Sequence, residues 1–294
     1  MAADAHPRDR ATPALDIASR FVRVALLSAG FAAIVVTGLR ALGGAERLWQ
    51  FTRTDQHRFT AMAMLTGTLR LRAGLALLGF DEQVFNGAVY TNWGYGVPLL
   101  QLPFQAAAVH LLPRRFFPDR AICFFYFLAV SALLWAAFAR LLASRSGGAH
   151  RVTRGVVSWA ATALVLGATL YPLMACRFIV YEETICYFVL CELAATGFYV
   201  LALGGWATWA ASGMAAAAGV GLLVRPTGLI YLAAWGLLAI AGAPKARARL
   251  AFAAAVAPFV AFWMYSNWVK TGAPLALGLQ NTVVPGAAET AALR

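Results

Sequence analysis

Seven apolar segments recur along the chain and constrain its fold more than any other feature. A helix needs about 20 apolar residues to cross the hydrocarbon core of a bilayer. Only 12% of the residues are charged, roughly half the share in a soluble domain. The segments are continuous rather than alternating, which disfavours a β-barrel. The sequence therefore predicts an all-α polytopic membrane protein with about seven transmembrane helices, at Phe21–Leu42, 121–142, 155–175, 184–203, 206–224, 228–242 and 249–269.

The region at 43–120 is expected to lie outside the membrane and to contain two helices. The first, about Asp55–Arg72, has apolar residues at helical spacing beside charged ones, which is typical of a helix lying at the membrane interface. The second, about Val97–Leu112, is apolar but too short to span, and it contains Pro98 and Pro103. We therefore expect it to be a juxtamembrane helix.

The basic residues indicate which face of the membrane each loop meets. Residues 1–20 are polar and expected to be disordered, and their arginines favour a cytoplasmic N-terminus. The short loops 143–154 and 243–249 are both basic, as cytoplasmic loops usually are, which puts the region between the first two spans outside. A segment at 270–294 then begins on the outer face. We expect a bacterial-type inner (plasma) membrane protein; a signal peptide ending near Ala41-Leu42-Gly43 is the alternative for the first segment.

The membrane, rather than nucleic acid, explains the formal net charge of +12. The arginines lie beside apolar segments, where topology and anionic lipid account for them. Four cysteines lie in or beside apolar segments without a Cys-x-x-Cys pair, which is typical of small buried side chains. A disulfide between Cys176 and Cys186 is possible if that loop faces an oxidising compartment.

Polar and aromatic residues cluster in the segments assigned to the outer face. Asp55 stands at the expected start of a helix, where a carboxylate either stabilises the helix dipole or carries chemistry. Tyr90, Asn92 and Trp93 lie beside two glycines. Such glycines indicate that another part of the backbone approaches closely.

Further charged residues lie in short outer segments and in one span. Glu182 and Glu183 belong to the expected loop Arg177–Glu183, and Arg225 precedes a proline at a membrane edge. A planar guanidinium suits a phosphate, although an arginine at this depth also snorkels to the interface. Glu192 lies about two turns into a span, where a carboxylate must pair, carry a proton or face a cavity. The sequence has no Walker motif, dinucleotide fingerprint or metal-ligand spacing, so a nucleotide-driven reaction is not supported.

Four segments occur in an order that resembles GT-C glycosyltransferases, specifically the protein O-mannosyltransferase and lipid A aminoarabinose transferase type. They are Asp55–Gly67, Tyr90–Pro103, Arg225–Gly228, and Asn267 with Gly272–Gly278. The resemblance covers most of the chain and implies a transmembrane module at 21–269. Two departures stand out. Gln56 replaces the usual Glu, and the chain reaches Arg294 near the point where family members continue, so we expect a truncated or minimal module.

The resemblance implies inverting transfer of a sugar from a polyprenyl-phosphate donor to an acceptor hydroxyl on the outer face. Asp55 matches the family's catalytic carboxylate and would act as the general base. The leaving phosphate would need charge stabilisation more than protonation. No metal ligand is assigned, and a divalent cation near the glutamates is left open. The residues expected to bind substrate are Arg58, Tyr90, Asn92, Trp93, Arg177, Glu182, Glu183 and Arg225.

Two other functions are compatible with the sequence. A lipid or solute transporter would use Glu192 as a proton-coupled site, and Glu192→Gln would then abolish transport, although no inverted repeat is evident. A non-catalytic membrane accessory subunit would neither transfer nor hydrolyse a lipid-linked sugar.

Overall fold

The computed structural model describes residues 13–51, 56–71, 82–112, 116–145, 151–176 and 179–276. Within these ranges the chain forms ten helices and one two-stranded antiparallel sheet. The elements are α1 (Pro13–Ala41), α2 (Ala45–Leu48), α3 (Gln56–Leu65), β1 (Glu82–Phe85), β2 (Ala88–Thr91), α4 (Gly96–Leu111), α5 (Asp119–Arg145), α6 (Arg151–Ala175), α7 (Val180–Ala202), α8 (Thr208–Val224), α9 (Gly228–Gly242) and α10 (Ala246–Thr271).

Each predicted apolar segment is a helix, and five of these helices are long and apolar enough to cross a membrane. The five candidate spans are Val24–Ala41, Asp119–Ser144, Thr153–Ala175, Val180–Ala202 and Ala246–Thr271. The remaining two, α8 and α9, have 17 and 15 residues, which is about 22–26 Å at 1.5 Å per residue and short of a hydrocarbon core of about 30 Å. An all-α membrane architecture therefore fits the chain, and the count of seven spans stays a prediction.

The first helix begins earlier than the sequence indicated. α1 starts at Pro13 rather than near Phe21, so residues 13–20, which were expected to be disordered, are helical. A proline suits the first turn of a helix, because its missing N–H has no partner there in any case. The other end of α1 is fixed by α5, since Arg120 Nη1 donates a hydrogen bond to the Leu42 carbonyl at 2.7 Å.

The region between the first two spans contains a β-hairpin that the helical prediction missed. β1 and β2 pair with Phe85 opposite Ala88. The turn residues Asn86 and Gly87 both have positive φ, 49° and 70°, as a type I′ hairpin turn requires. The two predicted helices flank this hairpin: α3 ends at Leu65, well short of Arg72, and α4 lies within one residue of its predicted bounds.

Polar elements and basic loops lie at opposite ends of the helix bundle. At one end, His57 of α3 contacts Thr184 of α7, and the Phe85 ring lies beside Gly272 after α10. At the other end, Trp206 before α8 packs against Gly242, near the basic start of α10. We call the first of these the polar end; it comprises α3, the hairpin, α4 and the adjoining ends of α5, α7, α8, α9 and α10.

Small residues let α8 pack closely between α7 and α10. Its alanines at positions 210, 211, 215 and 218 are fully buried. Gly213 lies against the Phe198 ring of α7, and Gly219 lies against the Phe259 ring of α10. Lipid is as apolar as these side chains, so close van der Waals packing, rather than hydrophobic burial, stabilises such contacts in a membrane.

The substitution Gly219→Ala tests this packing. An added Cβ would lie 2.6–2.8 Å from atoms of the Phe259 side chain, and we expect a loss of about 1–3 kcal/mol in unfolding free energy in detergent. The matched control is Gly167→Ala in α6, where a Cβ would meet nothing within 4 Å. Equal stability of the two variants would contradict the contact.

Candidate functional site

At the polar end, the loop that follows β2 lies backbone against backbone on the end of α8. A Cβ added at Gly94 would overlap the carbonyl oxygen of Leu223, and one added at Gly96 would overlap the backbone of Val224. Only glycine fits at such distances. This confirms the close approach that the two glycines indicated, and it fixes Asn92 and Trp93 beside the α8–α9 connection.

Aromatic rings connect this loop to α7 and to Arg225. The Trp93 and Tyr181 rings meet edge to face, with centroids 5.9 Å apart. Tyr181 also contacts Arg225, the residue that follows α8. The guanidinium carbon of Arg225 lies 5.4 Å from the centroid of the Tyr181 ring. Tyr181 thus lies between two of the predicted binding residues, Trp93 and Arg225, and immediately precedes a third, Glu182.

Tyr95, in the same loop, is buried and hydrogen-bonded to the segment after α3. Its side chain is 1% exposed, and its hydroxyl donates a hydrogen bond to the Leu69 carbonyl at 3.2 Å. Burial raises the pKa of the Tyr95 phenol well above its ordinary value. The phenol therefore stays protonated at neutral pH and acts as a donor.

Arg58 is held in a buried ion pair. Its Nη1 lies 3.3 Å from Oδ2 of Asp119, and the two side chains are 6% and 2% exposed. Three phenylalanine rings surround the guanidinium, at 4.5–5.9 Å from its carbon: Phe51, Phe59 and Phe116. Burial lowers the pKa of Arg58, and the charges of Asp119 and Glu183 oppose that shift. The pair joins α3 to α5 and leaves little guanidinium surface for a ligand, which indicates a structural role; the substrate contact of Arg58 stays a prediction.

Glu183 is equally enclosed. The sequence placed it in a loop, but α7 begins at Val180, so Glu182 and Glu183 lie in the first turn of that helix. Gln101 of α4 donates a hydrogen bond to Glu183 Oε1 at 2.8 Å, and Glu183 is fully buried. With the Arg58 pair this makes one buried polar network, whose members are His57, Arg58, Gln101, Asp119, Glu183 and Thr184.

His57 belongs to this network as a neutral donor. Thr184 donates its hydroxyl proton to the Val180 carbonyl at 2.6 Å. The contact of 2.9 Å between His57 Nε2 and Thr184 Oγ1 must then use a proton of the imidazole, since a hydroxyl has one hydrogen. Burial lowers the pKa of His57 to about 4, against a smaller opposing effect of the Val180 backbone.

The other predicted site residues divide into three groups. Asn92, Trp93 and Arg225 come together around the end of α8, with half-buried Glu182 beside Tyr181. Tyr90 is 2% exposed and lies opposite Gln83 in the hairpin, and its substrate contact stays a prediction. Asp55 and Arg177 lie outside the described residues.

Sequence reasoning missed Asp119, His57 and Gln101. Asp119 and Arg58 are 61 positions apart, and nothing in the local pattern of either signals the pairing. His57 and Gln101 stood inside helices that were assigned to the membrane surface, where polar side chains usually face water. The signal that could have identified them is a polar residue within an apolar helix, since such groups are buried only with partners.

Two further predictions concern cysteine and metal chemistry. Cys176 and Cys186 do not pair: Cys186 Sγ lies 3.5 Å from Cys123 Sγ inside the bundle, whereas Cys176 is exposed. Among the described residues no group of three or more His, Cys, Asp or Glu side chains could hold a metal ion.

Glu192 has a partner inside the bundle. Trp235 Nε1 donates a hydrogen bond to Glu192 Oε2 at 2.9 Å, across α7 and α9. The other oxygen, Oε1, is buried and has no hydrogen-bond partner in the part of the chain that the structure describes. The hydrogen bond from Trp235 therefore explains the burial of Oε2, whereas nothing in the described residues explains the burial of Oε1.

No protein family, curated protein or solved structure matches this chain. The resemblance to GT-C glycosyltransferases accordingly stays a prediction.

A pH titration tests the burial of His57. Its pKa in the folded protein, about 4, lies below the ordinary 6.5, so protonation favours the unfolded chain, and stability is lost as the pH falls from about 6.5 toward 4. Between pH 7.5 and 5 we expect a loss of about 2 kcal/mol from this residue. Unfolding in detergent should show this loss, and in His57→Asn the decrease in stability between pH 7.5 and 5 should be smaller by about 2 kcal/mol. An unchanged slope in His57→Asn would contradict the buried neutral imidazole.

A double-mutant cycle tests the Arg58–Asp119 pair. Asp119→Asn leaves a buried guanidinium with less opposing charge, and we expect a loss of about 3–5 kcal/mol in unfolding free energy. Arg58→Met combined with Asp119→Asn should lose less than the sum of the two single variants, with a coupling of at least about 1 kcal/mol. Arg40→Met, at an exposed position of α1, is the control and should change stability by under about 0.5 kcal/mol. Additive losses would show that the two groups do not interact.

Proposed function

We propose that this protein transfers a sugar from a polyprenyl-phosphate donor to an acceptor hydroxyl at the membrane surface. One observation carries the proposal: at the polar end Trp93 and Arg225 both contact the Tyr181 ring, and Asn92 lies beside Pro226, the residue after Arg225. A cation beside aromatic rings and an amide suits a ligand that combines a phosphate with a polyhydroxylated ring. The motif order described above supports the same function.

In the proposed reaction the acceptor hydroxyl oxygen attacks the anomeric carbon of the donor. The bond from that carbon to the phosphate oxygen breaks, and its electron pair leaves with the polyprenyl phosphate. Asp55 takes the proton of the attacking hydroxyl as the general base. Arg225 stabilises the negative charge that grows on the phosphate, so no second acid is needed. Arg177 is proposed to help Arg225 stabilise that negative charge, and Glu182 is proposed to orient the acceptor.

The buried polar network gives this reaction a fixed frame. His57 and Arg58 follow Asp55 by two and three residues, and both are held at the polar end by contacts to α7 and α5. The same network fixes Glu183, the neighbour of Glu182, through Gln101. Because its members are buried and bonded to one another, their proposed role is to position the surrounding residues, while the residues outside it meet the substrate.

We propose that the polar end faces the outside of a bacterial-type inner membrane. The opposite end of the bundle carries Lys245, Arg247 and Arg249 at the start of α10 and Arg154 in the first turn of α6. Excess arginine and lysine favours the cytoplasmic side. A donor of this class would then reach the site by lateral diffusion, with its prenyl chain in the bilayer.

A second candidate function, proton-coupled transport, is favoured by the unpaired Oε1 of Glu192. A buried carboxylate oxygen in a span is a common mark of a proton or ion path. Against it, Trp235 holds the other oxygen, and Glu192 lies in α7, away from the residues that converge at the polar end. The two functions differ in their response to Glu192→Gln: transport would stop, whereas sugar transfer would continue.

The reaction can be tested with purified protein in nanodiscs and a panel of polyprenyl-phosphate sugars, measuring released polyprenyl phosphate. We expect Asp55→Asn to lower the transfer rate at least about 100-fold, the usual contribution of a general base. Arg225→Gln should lower it by about 100-fold as well, because leaving-group stabilisation is lost.

Arg247→Gln is the matched control, because Arg247 is exposed at the opposite end of the bundle; its rate should equal that of the parent. Folded and inserted Asp55→Asn that transfers sugar at the parent rate would overturn the assignment of the base. A parent protein that transfers no sugar from any donor, and whose solute uptake collapses in Glu192→Gln, would favour transport instead.

A further inference from the structure

Lys270 is a buried cation at the polar end that the proposed reaction has not used. It lies in the last turn of α10, one residue before the end of a candidate span. A lysine at such a depth usually extends its ammonium to the interface and into water. Here the side chain is only 4% exposed, so its charge is held inside the protein.

The ammonium of Lys270 makes a cation–π contact with Tyr95. Nζ lies 5.0 Å from the centroid of the Tyr95 ring, a cation–π distance. Among the residues that the structure describes, it has neither an ion pair nor a hydrogen bond. A buried charge without an opposite charge is unfavourable by several kcal/mol, which makes this position a candidate for an anionic ligand.

The space beside Lys270 has the size and lining of an anion site. This Lys270 recess is bordered by the polar side chains of Asn92, Ser266 and Asn267, the backbone at Gly94, and Pro226. No carboxylate is among its lining residues in the described part of the chain. Its volume is about 30 Å³, room for about two water molecules. A phosphoryl group is more compact than a sugar ring and is the part of such a donor that suits a space of this size.

The recess also lies next to the proposed site and at the depth expected for lipid phosphates. Asn92 belongs to both, and Pro226 directly follows Arg225. Asn267 is available to a ligand, since its Nδ2 makes only a long contact of 3.4 Å with the Pro274 carbonyl. Lipid phosphates lie at the ends of transmembrane helices, which is where α10 presents Lys270.

We propose that the Lys270 recess binds the phosphate group of a prenyl-phosphate lipid, with Lys270 as the charge partner and the two asparagines as hydrogen-bond donors. This inference rests on the proposed function and assigns the phosphate subsite of its donor. The sugar then lies outside the recess, on the side of Trp93 and Tyr181, and Arg225 lies at its edge. Charge-assisted hydrogen bonds from Lys270 supply most of the affinity for the phosphate.

The experiment measures binding of a ten-carbon prenyl phosphate to the protein in detergent by native mass spectrometry. The chain has two lysines, Lys245 and Lys270, and Lys245 is exposed at the opposite end, so Lys245→Met is the matched control. We expect Lys270→Met to weaken binding at least about tenfold, as the loss of a hydrogen bond to a charged group implies. Lys245→Met should bind as the parent does.

A second measurement uses the unaltered protein, in case Lys270→Met does not fold. Prenyl phosphate should slow acetylation of Lys270 by acetic anhydride without changing that of Lys245, and the corresponding prenyl alcohol should not. Inorganic phosphate should bind at least about tenfold more weakly than prenyl phosphate, because it lacks the apolar prenyl chain that would pack in the grooves between helices. Equal binding of prenyl alcohol, equal binding of inorganic phosphate, or unchanged affinity in Lys270→Met would each overturn the assignment.

Failure of this inference is distinct from failure of the proposed function. If the parent transfers sugar and Lys270→Met retains the parent KM for the donor, the recess is not the phosphate subsite but the function stands. If Lys270→Met loses prenyl-phosphate binding and the parent transfers no sugar from any donor, the recess stands as a lipid-phosphate site and the transferase function falls.

Discussion

The candidate site depends on one steric constraint, the contact between the loop after β2 and the end of α8. Two backbones meet there at a distance that admits no side chain on either Gly94 or Gly96. This contact puts Asn92 and Trp93 on one side of α8 and Tyr95 beside α10. Arg225 directly follows α8 and Lys270 lies in α10, and the loop lies beside Pro226, the neighbour of Arg225, and beside Lys270.

The buried polar network performs a related task for the other elements of the polar end. Arg58 ties α3 to α5, His57 ties α3 to α7, and Gln101 ties α4 to α7. Each link is polar and almost entirely removed from solvent, so its geometry is strict: a displaced partner would leave a charge or a donor unsatisfied. Directional bonds of this kind set the orientation of α3 and α4, which are shorter than the helices α5 and α7 that they contact.

Sequence patterns predicted the helices of the bundle well and the layer at the polar end poorly. Apolar length alone located every long helix, because a membrane span requires it. The Gly94 and Gly96 contact was predictable since glycine signals close approach. The hairpin was missed although Asn86-Gly87 is a strong turn signal, because the surrounding region was interpreted only as helix.

The pairing of Arg58 with Asp119 could not be predicted, since tertiary structure alone joins residues so far apart in the chain. Lys270 was overlooked for a different reason: at the end of an apolar segment a lysine that snorkels and a lysine that is buried look the same in sequence. Packing against Tyr95 decides between them, and that packing follows from the loop contact at Gly94.

Amide hydrogen exchange across residues 88–98, compared between the parent and Gly94→Ala, tests this account most directly. A methyl group at position 94 must push the loop off the Leu223 carbonyl. The account predicts fast exchange in this segment only in Gly94→Ala, with the slow exchange of the parent retained in Gly167→Ala. Slow exchange in Gly94→Ala, indistinguishable from the parent, would contradict it.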